Sequence, residues 1–165
     1  MQRLDYHHIF SSLTGHARTW IYGFEKTLSV EQRKLVHERL SSFMNQWATH
    51  GESVRGDFLI AYDRFVIIAA ETDLSGCSID SSTHLFKDLK EYENLNALNR
   101  NLIFYWKNQT IRFLKRNHLY ELFAKNAINV HTIVFDLTIQ TVDQLRQKKF
   151  ETPLSQTWVA QLLAS

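Results

Sequence analysis

The run from Asp57 to Glu71, Asp-Phe-Leu-Ile-Ala-Tyr-Asp-Arg-Phe-Val-Ile-Ile-Ala-Ala-Glu, constrains the fold more than any other part of the chain. It reads as two strands, 57–63 and 64–71, joined closely enough to form a hairpin. The join lacks the glycine that two-residue turns favour. The stretch from Phe65 to Ala70 holds no polar residue. A strand that is apolar on both faces must be covered on both faces, so it belongs in the middle of a buried sheet. The rest of the chain has to supply the covers.

Upstream, Thr19 to Phe24 is aromatic and β-branched and reads as a first strand. Ser29 and Gln32 form a capping box, with Val36, Leu40, Phe43, Met44 and Trp47 following at helical spacing. This predicts a helix over about 30–49, with Gly51 as its stop. A second helix is expected after residue 82, with Leu85, Phe86, Leu89 and Tyr92 on one face. Residues 102–106 and 110–114 bracket Lys107-Asn108-Gln109 as another hairpin. A short helix around Leu119–Ala127, a strand at 132–135 and a helix from Thr141 to Lys149 follow, the last ended by Pro153. The order through residue 106, β-α-β-β-α-β, predicts an α+β fold with a ferredoxin-like core and a C-terminal β/α extension. That extension can cover the sheet face that the two helices leave open.

At 165 residues the chain fits a single domain: an irregular arm over 1–17, a core over 18–106 and an extension over 107–165. The single cysteine excludes an intramolecular disulfide and a cysteine-rich zinc site. Nineteen Lys and Arg against 17 Asp and Glu give a net charge of +2, too weak alone to imply nucleic acid or an anionic membrane. No apolar stretch reaches the length of a membrane span, and the N-terminus lacks the apolar run of a signal peptide, so a cytoplasmic location is expected. No P-loop, G-x-G-x-x-G, H-E-x-x-H or G-x-S-x-G string is present. The chain is therefore not expected to be a P-loop ATPase. No cofactor or metal is implied.

The segment Ser75-Gly76-Cys77-Ser78-Ile79-Asp80-Ser81-Ser82 is the leading candidate site. It is expected just before the second helix, where free backbone N–H groups create a local positive potential. Such a position holds an anionic group and lowers the pKa of a thiol. Gly76, Ser78, Asp80 and Ser81 are candidate ligand contacts there. Cys77 is a candidate nucleophile, with His50, after the first helix, as its base or partner. The plainer readings are a small buried cysteine, an N-cap at Ser78 or Asp80, and a histidine that caps helix carbonyls.

Residues 101–126 interleave Lys107, Arg112, Lys115, Arg116 and Lys125 with Phe104, Tyr105, Trp106 and Phe113. Exposed on a sheet, such rings would stack single-stranded bases. The bland alternative is a set of core strands edged by solvated cations. The low net charge favours it, so nucleic acid ranks last among the partners.

Four strings, Ala17–Tyr22, Trp47–Gly51, Tyr62–Phe65 and Ser75–Ser82, together with Thr132–Phe135 and the closing Pro153 and Trp158, resemble a family of small bacterial proteins often labelled "ABC transporter ATPase". The resemblance covers about residues 14–160. It implies no activity, since that family has none established and the phosphate-binding motif is missing here. It places Trp47, His50, Gly51, Arg64, Phe65, Gly76, Cys77 and Asp80 on motif positions, which adds Trp47 and Arg64 to the candidate ligand contacts. Asn94–Arg100 departs from the more acidic and aromatic stretch of that family. Residues 102–158 are also similar in pattern to GYF-type peptide-binding modules, without their Gly-Tyr-Phe string.

The leading expectation is a binding or interaction module for a peptide or a small anionic ligand near residues 76–82. The alternative is a thiol-dependent enzyme or redox sensor using Cys77 with His50, and the third is a single-stranded nucleic-acid binder. An apolar-aromatic strand at a sheet edge would also support a homodimer.

Overall fold

The computed structural model describes residues 3–49, 51–71 and 76–164. In chain order the elements are β1 (Arg18–Gly23), α1 (Val30–Gln46), β2 (Ala48–Thr49), β3 (Glu52–Ser53), β4 (Gly56–Ala61), β5 (Phe65–Ala70) and α2 (Gly76–Glu93). Then come β6 (Leu102–Lys107), β7 (Thr110–Lys115), α3 (Leu119–Ala124), β8 (Ile133–Phe135), α4 (Val142–Arg146), β9 (Glu151–Pro153) and α5 (Trp158–Ala164). The fold is α+β, built on one antiparallel sheet of order β1-β5-β4, a second of order β7-β6-β8-β9 and a small β2-β3 ribbon.

Side-chain parity along β5 explains the layering. Val66, Ile68 and Ala70 pack with Val36 and Leu40 of α1 and Phe86 and Leu89 of α2. Phe65, Ile67 and Ala69 point the other way, onto Leu102 and Phe104 of β6, Phe135 of β8 and Phe150. The second sheet turns its opposite face, with Ile103, Tyr105 and Val134, onto Leu119 of α3 and Val159 of α5. The result is four layers, helix–sheet–sheet–helix. All six residues of β5 are buried, as its composition requires.

Between the sheets the Phe65 ring meets Phe104, Phe135 and Phe150 at centroid distances of 5.1, 4.6 and 5.3 Å. Each such pair contributes roughly 0.5–1.5 kcal/mol beyond its buried area. The packing leaves no room at Gly23 of β1: a Cβ there would lie 2.7 Å from the Phe104 ring.

The α1 capping box forms as expected, with Ser29 accepting from the Gln32 N–H and Gln32 from the Ser29 N–H. The helix ends at Gln46 rather than 49, with Trp47 as its C-cap. Gly51, at φ 83°, is not the stop but lies between the strands of the β2-β3 ribbon. Both hairpins turn without glycine. Tyr62 and Asp63 have φ of 55° and 49°, and Asn108 and Gln109 have 48° and 62°. A left-handed non-glycine costs roughly 1–2 kcal/mol. The first turn is held by its surroundings. The Asp63 carbonyl accepts from the Leu28 N–H at 2.7 Å, and its carboxylate lies 2.7 Å from Arg33 Nε.

Two further expectations are corrected. β1, β5 and β4 follow the ferredoxin-like order, but the fourth strand, β6, joins the second sheet. The outer edge of β1 is already occupied by the segment before α4. Thr19 donates its N–H to the Gln140 carbonyl and its hydroxyl to that of Ile139, both at 2.9 Å. Pro153 does not end a helix: α4 stops at Arg146, and Pro153 closes the edge strand β9, where a missing N–H is tolerated. The arm over 3–17 is irregular but not peripheral, since Tyr6, Ile9, Phe10, Leu13 and Ala17 are buried in the inter-sheet core.

Candidate functional site

A concavity of about 290 Å³ lies between α1 and α2. Arg39, Ser42, Phe43 and Gln46 stand at i, i+3, i+4 and i+7 on one face of α1. Ser81, His84, Asp88 and Tyr92 form the matching stripe on α2. Helical period alone brings each set to one side, and burial of Leu40 and Phe86 against β5 sets the two helices side by side.

The floor of the groove is apolar. Leu89 is buried, and Phe43 and Leu85 are half-buried against the same core. Tyr92 stands at the rim with 72% of its surface exposed. It was expected on the packed face, but Leu89 reaches the core one turn earlier and the helix carries Tyr92 past the edge of the sheet. The rim carries one cation, Arg39, beside two carboxylates, Asp88 and Glu93, and Arg39 Nη2 lies 4.0 Å from Glu93 Oε1.

Of the sequence-derived candidates, Ser81 lines this groove and Asp80 is exposed beside it. The helix begins at Gly76, earlier than the capping residues suggested, so Asp80 and Ser81 lie beyond its first turn and cannot cap it. Gly76, Cys77 and Ser78 form that first turn. The side chains of Cys77 and Ser78 lie outside the described residues, as does His50 altogether.

Trp47 and Arg64 lie elsewhere, inside the packing. The Trp47 ring is buried 5.0 Å from Phe43 and 6.2 Å from Trp20. Arg64 is buried and clamps the loop after β1. Its Nε donates to the Phe24 carbonyl at 2.8 Å, Nη2 to that of Glu25 at 2.7 Å, and Nη1 to Thr27 Oγ1 at 3.1 Å. Burial lowers its pKa, as removal of a cation from water must. The Asn94–Arg100 stretch completes this corner, with Asn96 Nδ2 and Asn99 Nδ2 donating to Glu25 Oε1 at 3.1 and 2.9 Å.

A second cluster was not legible in the sequence. The Glu151 side chain, 7% exposed, accepts from four residues. Arg3 Nη1 and Trp106 Nε1 donate to Oε1 at 2.9 and 2.6 Å. The Tyr62 hydroxyl donates to Oε2 at 2.6 Å, and the Tyr6 hydroxyl reaches the same oxygen. A carboxylate offers about four lone-pair sites, so this one is saturated. Burial first, and the bond to Glu151 second, push both tyrosine pKa values above the ordinary range. These hydrogen bonds tie the arm to β9 and to the β4–β5 turn. The five residues are scattered from position 3 to 151, so no spacing announces them.

The basic, aromatic segment resolves into layers. Phe104 and Tyr105 are buried and Trp106 is half-buried, which leaves Phe113, at 38%, as the one ring of the four that is open to solvent. Tyr120, at 54%, lies on α3 rather than on the sheet, so the sheet offers stacked bases a single ring. Among the described residues, no cluster of three or more His, Cys, Asp or Glu is placed to hold a metal ion, and no helix is long and apolar enough to cross a membrane. No family model, curated protein or solved structure matches the chain.

Proposed function

We propose that this chain is a binding module that holds a short peptide in the groove between α1 and α2, with an apolar side chain on the floor and the Tyr92 ring folded over it. The single observation that carries the reading is Tyr92, largely exposed beside Phe43, Leu85 and Leu89. An aromatic ring on a rigid helix at the rim of an apolar concavity loses little conformational entropy on binding and buries much area.

The rim charges favour a peptide over a small anion. Arg39 stands against the two carboxylates of Asp88 and Glu93, so the groove has no positive field to capture a lone anionic group. Ser42 and Gln46 place polar side chains along the α1 wall, as a peptide backbone requires.

The test is selection of peptides from a displayed random library on the intact protein, followed by affinity measurement on two variants. Tyr92→Ala removes the ring, and His84→Trp fills the groove from an exposed position. Loss of an interface aromatic costs about 2 kcal/mol or more, so Tyr92→Ala should weaken selected peptides roughly thirtyfold, with thermal stability unchanged. Peptides that bind both variants as well as the parent, or a selection that enriches none, would refute the proposal.

A further inference from the structure

The outer strand β7 carries a second recognition surface, independent of the α1–α2 groove. Residues 101–126 hold five Lys or Arg and one Glu, a charge of +4. The remainder of the chain holds 14 Lys or Arg (19 − 5) and 16 Asp or Glu (17 − 1), a charge of −2. The molecule is therefore polar, with its positive charge concentrated at one place. Glu121 is neutralised within the segment by Lys125, 2.6 Å away. Lys107, Arg112, Lys115 and Arg116 remain, and none has a carboxylate within 4.0 Å among the described residues.

These cations sit on or beside a free strand edge. β7 pairs with β6 on one side and with nothing on the other. The two-residue turn at Asn108 and Gln109 makes Lys107 and Thr110 the closing pair of the hairpin. Hydrogen bonding then alternates along the ladder, so Ile111 and Phe113 direct their backbone groups outward. No residue from Ile111 to Leu114 makes a backbone hydrogen bond outside the hairpin among the described residues, while the Lys115 carbonyl opens the 3-10 turn at Arg116–His118. The other outer strands are less suited. β9 has three residues and ends in proline, and β4 borders a cavity that it shares with the N-terminal arm.

The two faces of β7 differ. On one, Lys107 and Arg112 flank Tyr105 around a shallow cavity of about 340 Å³. On the other, Ile111 is half-buried and Phe113 is partly exposed. We infer that β7 docks an extended peptide of alternating acidic and apolar residues, which adds a strand to the second sheet. Its carboxylates meet Lys107 and Arg112, and its apolar side chains lie against Ile111 and Phe113. Backbone pairing supplies the register, and alternate side chains supply the selectivity. A second copy of this chain is a poorer occupant, because a two-fold pairing of β7 with itself would set these cations against one another. Single-stranded nucleic acid would find the phosphate-binding charge with Phe113 as the one exposed ring of the strand to stack on.

The experiment is fluorescence anisotropy of labelled N-acetyl-Glu-Val-Glu-Val-Glu-Val-amide against the full chain at low salt. Three comparison ligands are used: the same composition as a Glu block followed by a Val block, the Lys-Val alternating peptide, and a single-stranded oligonucleotide. The alternating acidic peptide should bind, and the other two peptides should not. The double variant Lys107→Glu/Arg112→Glu should weaken it by about tenfold, the worth of two exposed ion pairs. Phe113→Pro, at a position whose N–H faces outward, should abolish binding while circular dichroism stays unchanged. Tyr92→Ala in the helical groove should have no effect. Equal binding of the block peptide would overturn strand addition. Tighter binding of the oligonucleotide, displaced by the same charge reversals, would assign the edge to nucleic acid instead. Sedimentation showing a dimer that Phe113→Pro dissociates would assign it to a second copy.

Discussion

Replacing Glu151 by alanine should cost the fold about 3–5 kcal/mol, the range for breaking a buried charged contact by deleting one partner. The figure also follows from the donors left behind. Tyr6 and Tyr62 are buried and Trp106 is half-buried, and each would lose its acceptor. An unsatisfied buried donor costs roughly 1–3 kcal/mol, and three at the lower end already reach about 3 kcal/mol. Arg3 adds little, since its side chain is 70% exposed and regains water. For a chain of this length 1 kcal/mol moves the melting temperature by roughly 2–4 °C, so Glu151→Ala should lower it by about 6–20 °C. Urea titration followed by tryptophan fluorescence measures the first quantity, and thermal unfolding followed by circular dichroism the second. Glu151→Gln should fall between, because an amide keeps one carbonyl acceptor and the tyrosine hydroxyls can rotate to accept from its NH₂ group. Arg3→Ala should lie within about 1 kcal/mol of the parent. A loss below about 1 kcal/mol for Glu151→Ala would refute the reasoning, since it would mean that water or rotation satisfies all three donors.

The raised tyrosine pKa values give an alkaline limb. The folded state keeps these protons longer than the unfolded chain, so their contribution is complete below the ordinary tyrosine value of about 10 and is lost as pH rises beyond it. Tyr6→Phe/Tyr62→Phe should flatten the fall in stability above that value, as read by melting temperature against pH. Arg64→Ala leaves two carbonyls and a hydroxyl without their donor and opens a cavity, and should cost about 3 kcal/mol in urea titration. Gly23→Ala places a methyl carbon 2.7 Å from the Phe104 ring, and overpacking of this kind costs about 1–3 kcal/mol; an unchanged midpoint would show that the ring moves freely.

What was legible in the sequence was what local chemistry decides. Ser29 and Gln32 fixed the start of α1 because both halves of a capping box lie within four residues. The unbroken apolar run of β5 demanded a central, doubly covered strand and has that place. The hairpin at Lys107–Thr110 followed from two aromatic strands with three polar residues between them. What was not legible depends on pairing between distant segments. β6 was read as the fourth strand of the first sheet because element order carries no information on which edge is already taken, here by residues 139–141 against Thr19. The polar, aperiodic arm gave no sign that Tyr6 and Phe10 enter the core.

The candidate site shows the same division. Ser81 was singled out for its hydroxyl and does line the groove, but the groove needs α1 and α2 side by side, and their facing stripes are about forty residues apart. Trp47 and Arg64 enter through the resemblance alone. The structure gives their rings and donors to packing and to backbone carbonyls. Helix α2 starts at Gly76 because a run of small polar residues, read as a preceding cap, is itself helical.

The most direct test of the central claim is to map a library-selected peptide by backbone amide shifts in the ¹⁵N-labelled protein, with a spin label on the peptide for proximity. The peptide-groove account predicts shifts and line broadening at Arg39, Phe43, His84, Asp88 and Tyr92, with β7 unmoved. Perturbations that cluster anywhere else, with these five residues unchanged, would contradict it.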